Sequence, residues 1–578
     1  MNKNYPIYKT TFIDDMRSLV EESAQNFPSD IAISYKDNYW DKEVKKVRFS
    51  QWRDDVRDLG TALISSGLRE EKIAIIGENS YGWCCSFFAV MAIGAVTVPI
   101  DKELPLDDIH GIISTTGCKA VIFGKSAEEK IKKILLGYDI NSVETLISVA
   151  QEHSIDESVS SGRHITTLAG LLDKGATLFR NGDNSYYDYK IDANKLASIV
   201  FTSGTTGKGK GVMLSQANIG LDMTLGMYNF DITRKTLHVL PPHHTFGSTV
   251  NYVGHLSQGC EVYISSGIKH VSDEIMEQQP THLILVPAFL EVMNRKIWAT
   301  ARKQGKEGLL KAMMKVSNFL RRIGIDIRRK LFASVLSAFG GKLELIICGG
   351  AKLDEEIINV FDSIGITVLN GYGITECAPL ISANRNKYRK PGSVGTPILA
   401  CRVKIDNPDE NGEGEICVKG PNVMLGYYNN PEATAEVFDK DGFFHTGDYG
   451  KLDEEGWIYI TGRKKNLIIL SNGKNVYPEE IEADLQKVEG VTEVVVYAGE
   501  SRVQKDKITI VAEIFPDAEL LKDKGIMDLQ KYFEEQIKLV NAKMPPYKAV
   551  KRVKLRDTEF QKNTSRKITR FNIDKTID

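Results

Sequence analysis

Short apolar runs that end in glycine, proline or polar residues recur along the first two-thirds of the chain, and helix-like stretches separate most of them. The runs are KIAIIGENS, AVTVPID, KAVIFGK, TLISVA, LASIVFTSG, TLHVLPP, HLILVPA, LELIICGG and ITVLNGYG. Strands that alternate with helices form parallel sheets with helices on both faces. Ligands of such sheets bind beyond the carboxyl ends of the strands. The pattern therefore predicts an α/β fold whose site lies at those ends.

The pattern changes after Pro391. The segments VKIDNPDENGEGEICVKG and GWIYITGR have the glycine turns of hairpins and predict a small antiparallel β-barrel unit. From YPEEIEADLQKVEGVTEVVVYAGE onward, short strands and charged helices predict a small α+β domain. Because 578 residues exceed one ordinary core, we predict a large N-terminal domain, 1–464, and a small C-terminal domain, 465–578, that meet at Lys465.

Composition narrows the class of protein. An apolar content of 42% and a charged content of 26% are typical of soluble globular chains, and a net charge of -2 gives no reason to expect a nucleic-acid partner. The eight cysteines form no C-x-x-C pair, which argues against a metal site or a disulfide framework and favours the cytoplasm. Gly94 and Pro99 interrupt the most apolar window, 84–100, so we predict a buried helix followed by a strand there.

The segment IVFTSGTTGKGKGVMLSQANI, 199–219, leads from a strand into a glycine-rich, basic loop, and an apolar, helix-like run opens at Met213. Successive backbone N–H groups of such a loop bind anions, and side-chain hydroxyls and a lysine strengthen the site. The side chains that would do so are Thr202, Ser203, Thr205, Thr206 and Lys210. The loop therefore suits the phosphates of a nucleotide.

Two well-known phosphate loops do not fit. Gly211 stands where a Walker A loop needs Ser or Thr for Mg²⁺, and Glu376 stands where a Rossmann loop starting at Gly371 needs its third glycine. For either loop alone, an ordinary glycine turn between strand and helix is an equal alternative.

Four segments in order resemble one superfamily. They are TSGTTGKGKGV (202–212), GYGITECAP (371–379), HTGDYGKLDEEGWIYITGRKKNLI (445–468) and KNTSRKITR (562–570). Together they resemble the adenylate-forming superfamily, which includes acyl-CoA synthetases, luciferases and peptide-synthetase adenylation domains. The long helical stretch 294–341 resembles an insertion at the same place in the long-chain fatty acid–CoA ligases of this superfamily. The resemblance implies that a carboxylate attacks the α-phosphate of ATP, that pyrophosphate leaves, and that a thiol then displaces AMP.

The resemblance also implies roles for particular residues. Tyr372 would stack on adenine, Thr375 would contact the α-phosphate, and Glu376 would hold Mg²⁺. Asp448 would accept the ribose hydroxyls with help from Arg463, and Lys567 would bridge the carboxylate and the α-phosphate. Lys465 would be the hinge of the small domain, and Gly473 would line the pantetheine tunnel. The full ATP-binding set would be Thr202, Ser203, Gly204, Thr205, Thr206, Gly207, Lys210, Gly349, Gly350, Ala351, Asn370, Gly371, Tyr372, Gly373, Thr375, Asp448, Ile460, Arg463 and Lys567.

The segment LPPHHTFGSTV helps to predict which carboxylic acid is the substrate. Peptide-synthetase domains place an aspartate after a phenylalanine to pair the α-amino group of their substrate, whereas Gly247 follows Phe246 here, so we do not expect an α-amino acid. The resemblance places His244 beside the substrate carboxylate. It also implies that His244, Phe246 and Gly247 line the acyl pocket. We expect a medium- or long-chain fatty acid.

The acceptor and the cell location stay open. Coenzyme A and an acyl carrier protein present the same pantetheine, so the sequence does not separate them; a non-catalytic acyl- or nucleotide-binding relative is the remaining alternative. The long basic and apolar stretch 294–341 fits a membrane surface, where fatty acids partition, and equally a solvated helix pair. We expect a cytoplasmic enzyme that uses ATP, Mg²⁺ and coenzyme A, with peripheral membrane contact as one reading of that stretch.

Overall fold

The computed structural model describes residues 8–202, 209–232, 234–470, 475–500, 508–562 and 568–577. The chain divides into two compact units. The first consists of the residues up to 402 together with 418–444, and the second of 403–417 together with the residues from 445 onward. Most of the predicted β unit falls in the second unit, and a domain boundary at Lys465 stays a prediction.

One sheet of the first unit carries the glycine-rich loop. In spatial order its strands are Gly426–Tyr427, Lys210–Ser215, Leu196–Thr202, Val96–Ile100, Lys72–Ile76, Ala120–Phe123, Thr145–Ser148 and His164–Thr167. Neighbours from Leu196–Thr202 to His164–Thr167 are parallel, and the two pairs on the other side are antiparallel. The parallel part buries apolar side chains that include Val98, Phe123 and Leu146.

The other sheet of this unit has nine strands among the described residues and contains the remaining strands that the sequence predicts. In spatial order its strands are Thr396–Pro397, Leu380–Ala383, Thr367–Gly373, Leu345–Cys348, His282–Leu285, Lys235–His238, Glu261–Ile264, Ile31–Tyr35 and Lys45–Arg48. From Thr367–Gly373 to Ile31–Tyr35 each strand is parallel to the next one, whereas the pairs outside this range are antiparallel. All nine apolar runs of the sequence therefore contain strands, as predicted.

Helices connect and cover these strands. The longer helices of the first unit are Met16–Asn26, Phe49–Ser65, Tyr81–Ala92, Leu106–Thr116, Glu128–Gly137, Leu168–Arg180, Gln216–Met227, Val271–Gln278, Pro287–Lys303, Glu307–Arg322 and Glu355–Ile364, with a π-helix at Phe246–Gly254. The apolar window 84–100 lies in the buried helix Tyr81–Ala92 and the buried strand Val96–Ile100, which confirms that prediction. Within the described part of the chain, no helix combines the length and the apolar character that a membrane span requires.

The expectation of a helix from Met213 is wrong. Lys210–Ser215 is a strand that pairs with Leu196–Thr202 on one side and with Gly426–Tyr427 on the other. The helix begins later, at Gln216, where the Ser215 hydroxyl accepts the Asn218 N–H at 3.0 Å and the Asn218 side chain accepts the Ser215 N–H at 2.9 Å. The apolar residues 212–214 are drawn into a strand because partners on both sides satisfy the backbone.

The second unit is built from small sheets and short helices, and its strands Thr509–Pro516 and Arg552–Leu555 are parallel to each other. One sheet has the order Arg402–Asp406, Gly414–Lys419, Phe444–Leu452 and Ile458–Arg463, as the hairpin patterns predict. Another sheet of this unit consists of Val491–Gly499, Thr509–Pro516 and Arg552–Leu555. A two-stranded sheet is formed by Ile468–Ile469 and Asn475–Val476. The helices Pro478–Leu485, Ala518–Asp523 and Leu529–Asn541 complete the unit around buried side chains that include Val496, Ile514 and Phe533.

Candidate active site

Adjacent parallel strands bring three predicted segments together at the carboxyl ends of the strands in the nine-stranded sheet of the first unit. Cys348 pairs with Asn370 in parallel register, so 349–351, which follow one strand, lie beside 371–373, which end the next strand. A Cβ at Gly349 would lie 3.3 Å from the Gly371 carbonyl oxygen and 3.4 Å from Cζ of Phe246. The ring of Phe246, predicted for the acyl pocket, therefore packs against the backbone predicted to line the adenine.

Asn370 offers an acceptor at this edge. Its backbone carbonyl accepts the Asn384 N–H at 2.9 Å and the Asn384 Nδ2 group at 3.1 Å. Its side-chain Oδ1 is buried, and no described residue donates a hydrogen bond to it. A buried acceptor without a donor is costly unless a ligand satisfies it, and the amino group of a nucleobase is such a donor. Tyr372, 6% exposed, is two residues further along the same strand.

The predicted acyl-pocket residues lie in a tight turn after the strand Lys235–His238. The His244 carbonyl accepts the N–H groups of Gly247 at 2.8 Å and Ser248 at 2.9 Å, where the π-helix begins. A Cβ at Gly247 would lie 2.1 Å from the Pro241 carbonyl oxygen. No residue with a side chain fits position 247 without moving this turn, so an acidic group is excluded there by packing as well as by sequence.

Two histidine rings lie beside each other in this turn. The ring centroids of His243 and His244 are 4.4 Å apart, and His244 is the more exposed of the two. Burial, assisted by Lys102, lowers the pKa of His243 to about 3. His243 is therefore neutral, and its 3.6 Å approach to Asp101 is not an ion pair.

Tyr427 links the glycine-rich loop to the predicted metal ligand. Its hydroxyl donates a hydrogen bond to Glu376 Oε1 at 3.1 Å, and the Nζ of Lys210 lies 4.7 Å from the centroid of its ring. Burial and the Glu376 carboxylate both raise the pKa of Tyr427, which keeps the hydroxyl protonated as a donor. Tyr427 is paired with Val212 in the antiparallel register, which places it beside the strand that bears Lys210. Sequence reasoning missed this residue.

The other predicted nucleotide residues of the first unit lie on the same elements. Thr202 pairs with Lys210 across the base of the loop, and its hydroxyl donates to the Lys210 carbonyl at 3.4 Å. Thr375 begins the short turn Thr375–Cys377, which Ile374 separates from the strand Thr367–Gly373. Gly350 has a φ of 87°, in the left-handed region, which favours glycine. Gly371 and Gly373 end the strand, and Ala351 is exposed.

The second unit brings together the two residues that are predicted to bind the ribose. Asp448 is 3% exposed and lies opposite Arg463 in the antiparallel register, with 2.7 Å between its Oδ1 and the arginine Nε. Ile460 lies in the same strand as Arg463 and is half-buried. Lys465, the predicted hinge, is at the centre of the short turn Lys464–Asn466 that follows.

Comparison with known proteins decides the family. Residues 20–428 match the model of the AMP-binding enzyme family. The chain belongs to that family. A Homo sapiens protein named long-chain-fatty-acid–CoA ligase 1 is 30% identical over 491 residues, which cover 80% of this chain and 68% of that protein. A chloroplastic Arabidopsis thaliana protein named long-chain-fatty-acid–[acyl-carrier-protein] ligase is 27% identical over 568 residues, which cover 86% and 75%.

The solved structures agree in fold. A Mycobacterium tuberculosis fatty acyl CoA synthetase matches 96% of this chain and 96% of its own, with a TM-score of 0.64 and 23% identity. This likeness and the two sheets described above confirm the predicted fold class. Membership of the AMP-binding family makes the chain an ATP-dependent, adenylate-forming ligase.

The described residues of this AMP-binding enzyme fit the groups that the family implies. The unsatisfied Asn370 Oδ1 suits a nucleobase, and Glu376 offers a carboxylate held by Tyr427. Mg²⁺ typically binds one or two carboxylates together with substrate phosphates, so a cluster of three acidic or imidazole ligands, which the described residues lack, is not required. Several predicted site residues lie outside the described residues: Ser203, Gly204, Thr205, Thr206, Gly207, Gly473 and Lys567.

Proposed function

We propose that this AMP-binding enzyme activates a medium- or long-chain fatty acid and transfers the acyl group to coenzyme A. A carboxylate oxygen of the acid attacks the α-phosphorus of ATP, the bond to the β-phosphate breaks, and pyrophosphate leaves. The thiolate sulfur of coenzyme A then attacks the acyl carbonyl carbon, and the bond to AMP breaks. The names of the relatives support this substrate class, and the packing of the acyl turn argues against an α-amino acid.

The observation that carries the substrate class is the packing of Gly247. With the Pro241 carbonyl 2.1 Å from where a Cβ would stand, this position holds no acid that could pair a substrate ammonium. An unpaired ammonium in a buried pocket is strongly unfavourable. The ring of Phe246 beside Gly349 adds an apolar surface next to the predicted adenine site, which suits an acyl chain better than a charged side chain.

The chain's own side chains would divide the work of adenylation. Lys210 and the loop hydroxyls would hold the β- and γ-phosphates, Asn370 Oδ1 would accept the adenine amino group, and Asp448 would accept the ribose hydroxyls. Thr375 would contact the α-phosphate, and His244 would flank the carboxylate. Lys567 would offset the negative charges of the carboxylate and the α-phosphate as they approach, which is an electrostatic contribution to the transition state. Glu376 would hold Mg²⁺, which when bound offsets phosphate charge.

The acceptor we propose is coenzyme A, with Gly473 in the pantetheine tunnel. An acyl carrier protein is the alternative, and the Arabidopsis relative named as an acyl-carrier-protein ligase favours keeping it. We place the enzyme in the cytoplasm, with the basic stretch 294–341 in peripheral contact with a membrane.

Pyrophosphate release across a panel of acids tests the substrate class. Each buried methylene contributes roughly 0.8 kcal/mol, so two added carbons should raise kcat/KM by about tenfold until the pocket is filled. Acetate should be very poor. If acetate or an aromatic acid has a higher kcat/KM than a twelve-carbon acid, the proposal is wrong.

A second assay separates the acceptors. Acyl-AMP made in the first step is offered to free coenzyme A and, separately, to a pantetheinylated carrier protein. Thioester formation with coenzyme A supports the proposal, whereas transfer to the carrier protein alone supports the alternative. Release of pyrophosphate with neither thiol acylated would mean that the physiological acceptor is a different thiol.

A further inference from the structure

The helix Glu307–Arg322 has two faces of different character. Its inner face buries Leu310, Met314 and Ser317. The first two belong to the apolar core that packs on the nine-stranded sheet of the first unit. These positions are spaced by three and four residues, as on one side of a helix. The inner face therefore anchors the helix to the first unit.

The outer face is apolar as well. Leu309, Val316, Phe319 and Ile323 are 57%, 54%, 62% and 59% exposed, and Ala312 between them is also exposed. The positions 309, 312, 316, 319 and 323 are again spaced by three and four residues, so they form a second stripe along the helix. At 1.5 Å per residue the stripe is about 21 Å long. We call these five residues the outer stripe.

Basic side chains accompany the outer stripe. Lys315 and Arg322 are exposed on one side of it, and Lys311 lies on the same side, paired with Glu307 at 2.8 Å. Between 294 and 341 the sequence has twelve basic and two acidic residues, although the whole chain has a net charge of -2. Positive charge is therefore concentrated in the segment that contains the outer stripe, with Lys311, Lys315 and Arg322 beside the stripe itself.

We propose that the outer stripe docks the protein on the surface of an anionic lipid bilayer. An exposed apolar stripe flanked by lysine and arginine inserts its side chains at the boundary of headgroups and acyl chains, and its cations pair with anionic headgroups. A second copy of the chain fits less well, because the same face would bring an equal cluster of positive charge against the first. This docking deepens the proposed function, since a fatty acid that partitions into the bilayer would reach the enzyme there.

Co-sedimentation with vesicles tests the docking. The full-length protein is mixed with two kinds of vesicle. One is phosphatidylcholine alone, and the other contains about 30% phosphatidylglycerol, whose anionic headgroup gives the surface a negative potential. The wild-type protein should bind the anionic vesicles at least about tenfold more tightly than the neutral ones, because each lysine or arginine near an anionic surface contributes about fivefold.

Two double variants separate the two contributions. Phe319→Ser with Ile323→Ser should weaken binding to anionic vesicles by at least about tenfold, since several apolar groups no longer leave water. Lys315→Glu with Arg322→Glu should weaken it by at least about tenfold and leave binding to neutral vesicles within about twofold. Leu539→Ser is the matched control, because Leu539 is 60% exposed on a helix of the second unit. It should bind like the wild type.

Three results would overturn the docking proposal: wild-type protein that does not sediment with anionic vesicles, a serine double variant that binds like the wild type, or a serine variant that instead dissociates a dimer in sedimentation velocity. A serine variant that loses transfer to an acidic carrier protein but keeps vesicle binding would assign the stripe to that partner instead. Octanoyl-CoA formation without lipid is measured in parallel and should be equal in all variants. Its absence in the wild type would contradict the proposed function and leave the docking result standing.

Discussion

The hydroxyl group of Tyr427 should determine how tightly this AMP-binding enzyme holds Mg²⁺ with ATP. The hydroxyl donates to Glu376 Oε1 at 3.1 Å and so orients the carboxylate that we propose as the metal ligand. A hydrogen bond to a charged group is worth about 1.5–3 kcal/mol. Glu376 is half-buried, so we take the lower end of this range, about 1.5 kcal/mol, which corresponds to about tenfold in affinity.

Tyr427→Phe removes the hydroxyl and keeps the ring beneath Lys210. We expect the half-saturating concentration of free Mg²⁺ in pyrophosphate release to rise about tenfold, with little change in the KM of the fatty acid. Calorimetric titration with ATP in the presence and absence of Mg²⁺ gives a second readout that does not depend on turnover. The variant should lose affinity only when Mg²⁺ is present.

Tyr427→Leu removes the ring as well. The Nζ of Lys210 then loses its contact with the ring face at 4.7 Å, which is worth about 0.5–1 kcal/mol at a partly exposed site. This variant should therefore bind ATP about two- to fivefold more weakly even without Mg²⁺.

Tyr428→Phe is the matched control for both variants. It makes the same substitution one residue away, but the Tyr428 hydroxyl lies 3.5 Å from the Thr116 carbonyl oxygen, away from Glu376. It should leave the Mg²⁺ dependence unchanged. An unchanged Mg²⁺ dependence in Tyr427→Phe would refute the reasoning, and a lower half-saturating concentration would show that the hydroxyl competes with the metal for Glu376.

Three further predictions concern other parts of the chain. Lys567→Ala should slow adenylation by about 10²–10³ and spare thioester formation from synthetic acyl-AMP; an equal loss in both half-reactions would reassign the lysine. Lys465→Pro, which fixes φ near −65° and removes a donor, should leave pyrophosphate exchange within about tenfold of the wild type and cripple thioester formation, and no loss in either step would mean that the second step needs no rotation at this residue. Gly247→Ala should destabilise the fold by about 1–3 kcal/mol, because the Cβ would lie 2.1 Å from the Pro241 carbonyl. Gly308→Ala, where a Cβ would meet nothing within 4 Å in a helix, is its control and should raise thermal stability slightly.

The local pattern of the sequence was sufficient to predict nine strands of the first unit and their order along the chain. Runs such as KIAII and TVLNGYG are apolar, short and bounded by glycine or polar residues, and a buried strand in a parallel sheet is the structure in which that pattern is stable. The four motifs were likewise sufficient to assign the family, because each depends on residues that are close in sequence. Asp448 and Arg463 were predicted from one such segment, and the strand pairing that joins them is a local hairpin.

The tertiary structure decided the features that depend on residues far apart in the chain. A helix was expected from Met213, but Met213 lies in the strand Lys210–Ser215, because Gly426–Tyr427 pairs with that strand from more than two hundred residues away. The same pairing brings Tyr427 between Lys210 and Glu376, where no spacing in the sequence points to it. The outer stripe was hidden in the sequence for a related reason: the apolar residues at 310 and 314 and those at 312 and 316 are both spaced by four residues. Only packing on the core determines which of those two faces is buried and which is left exposed to water.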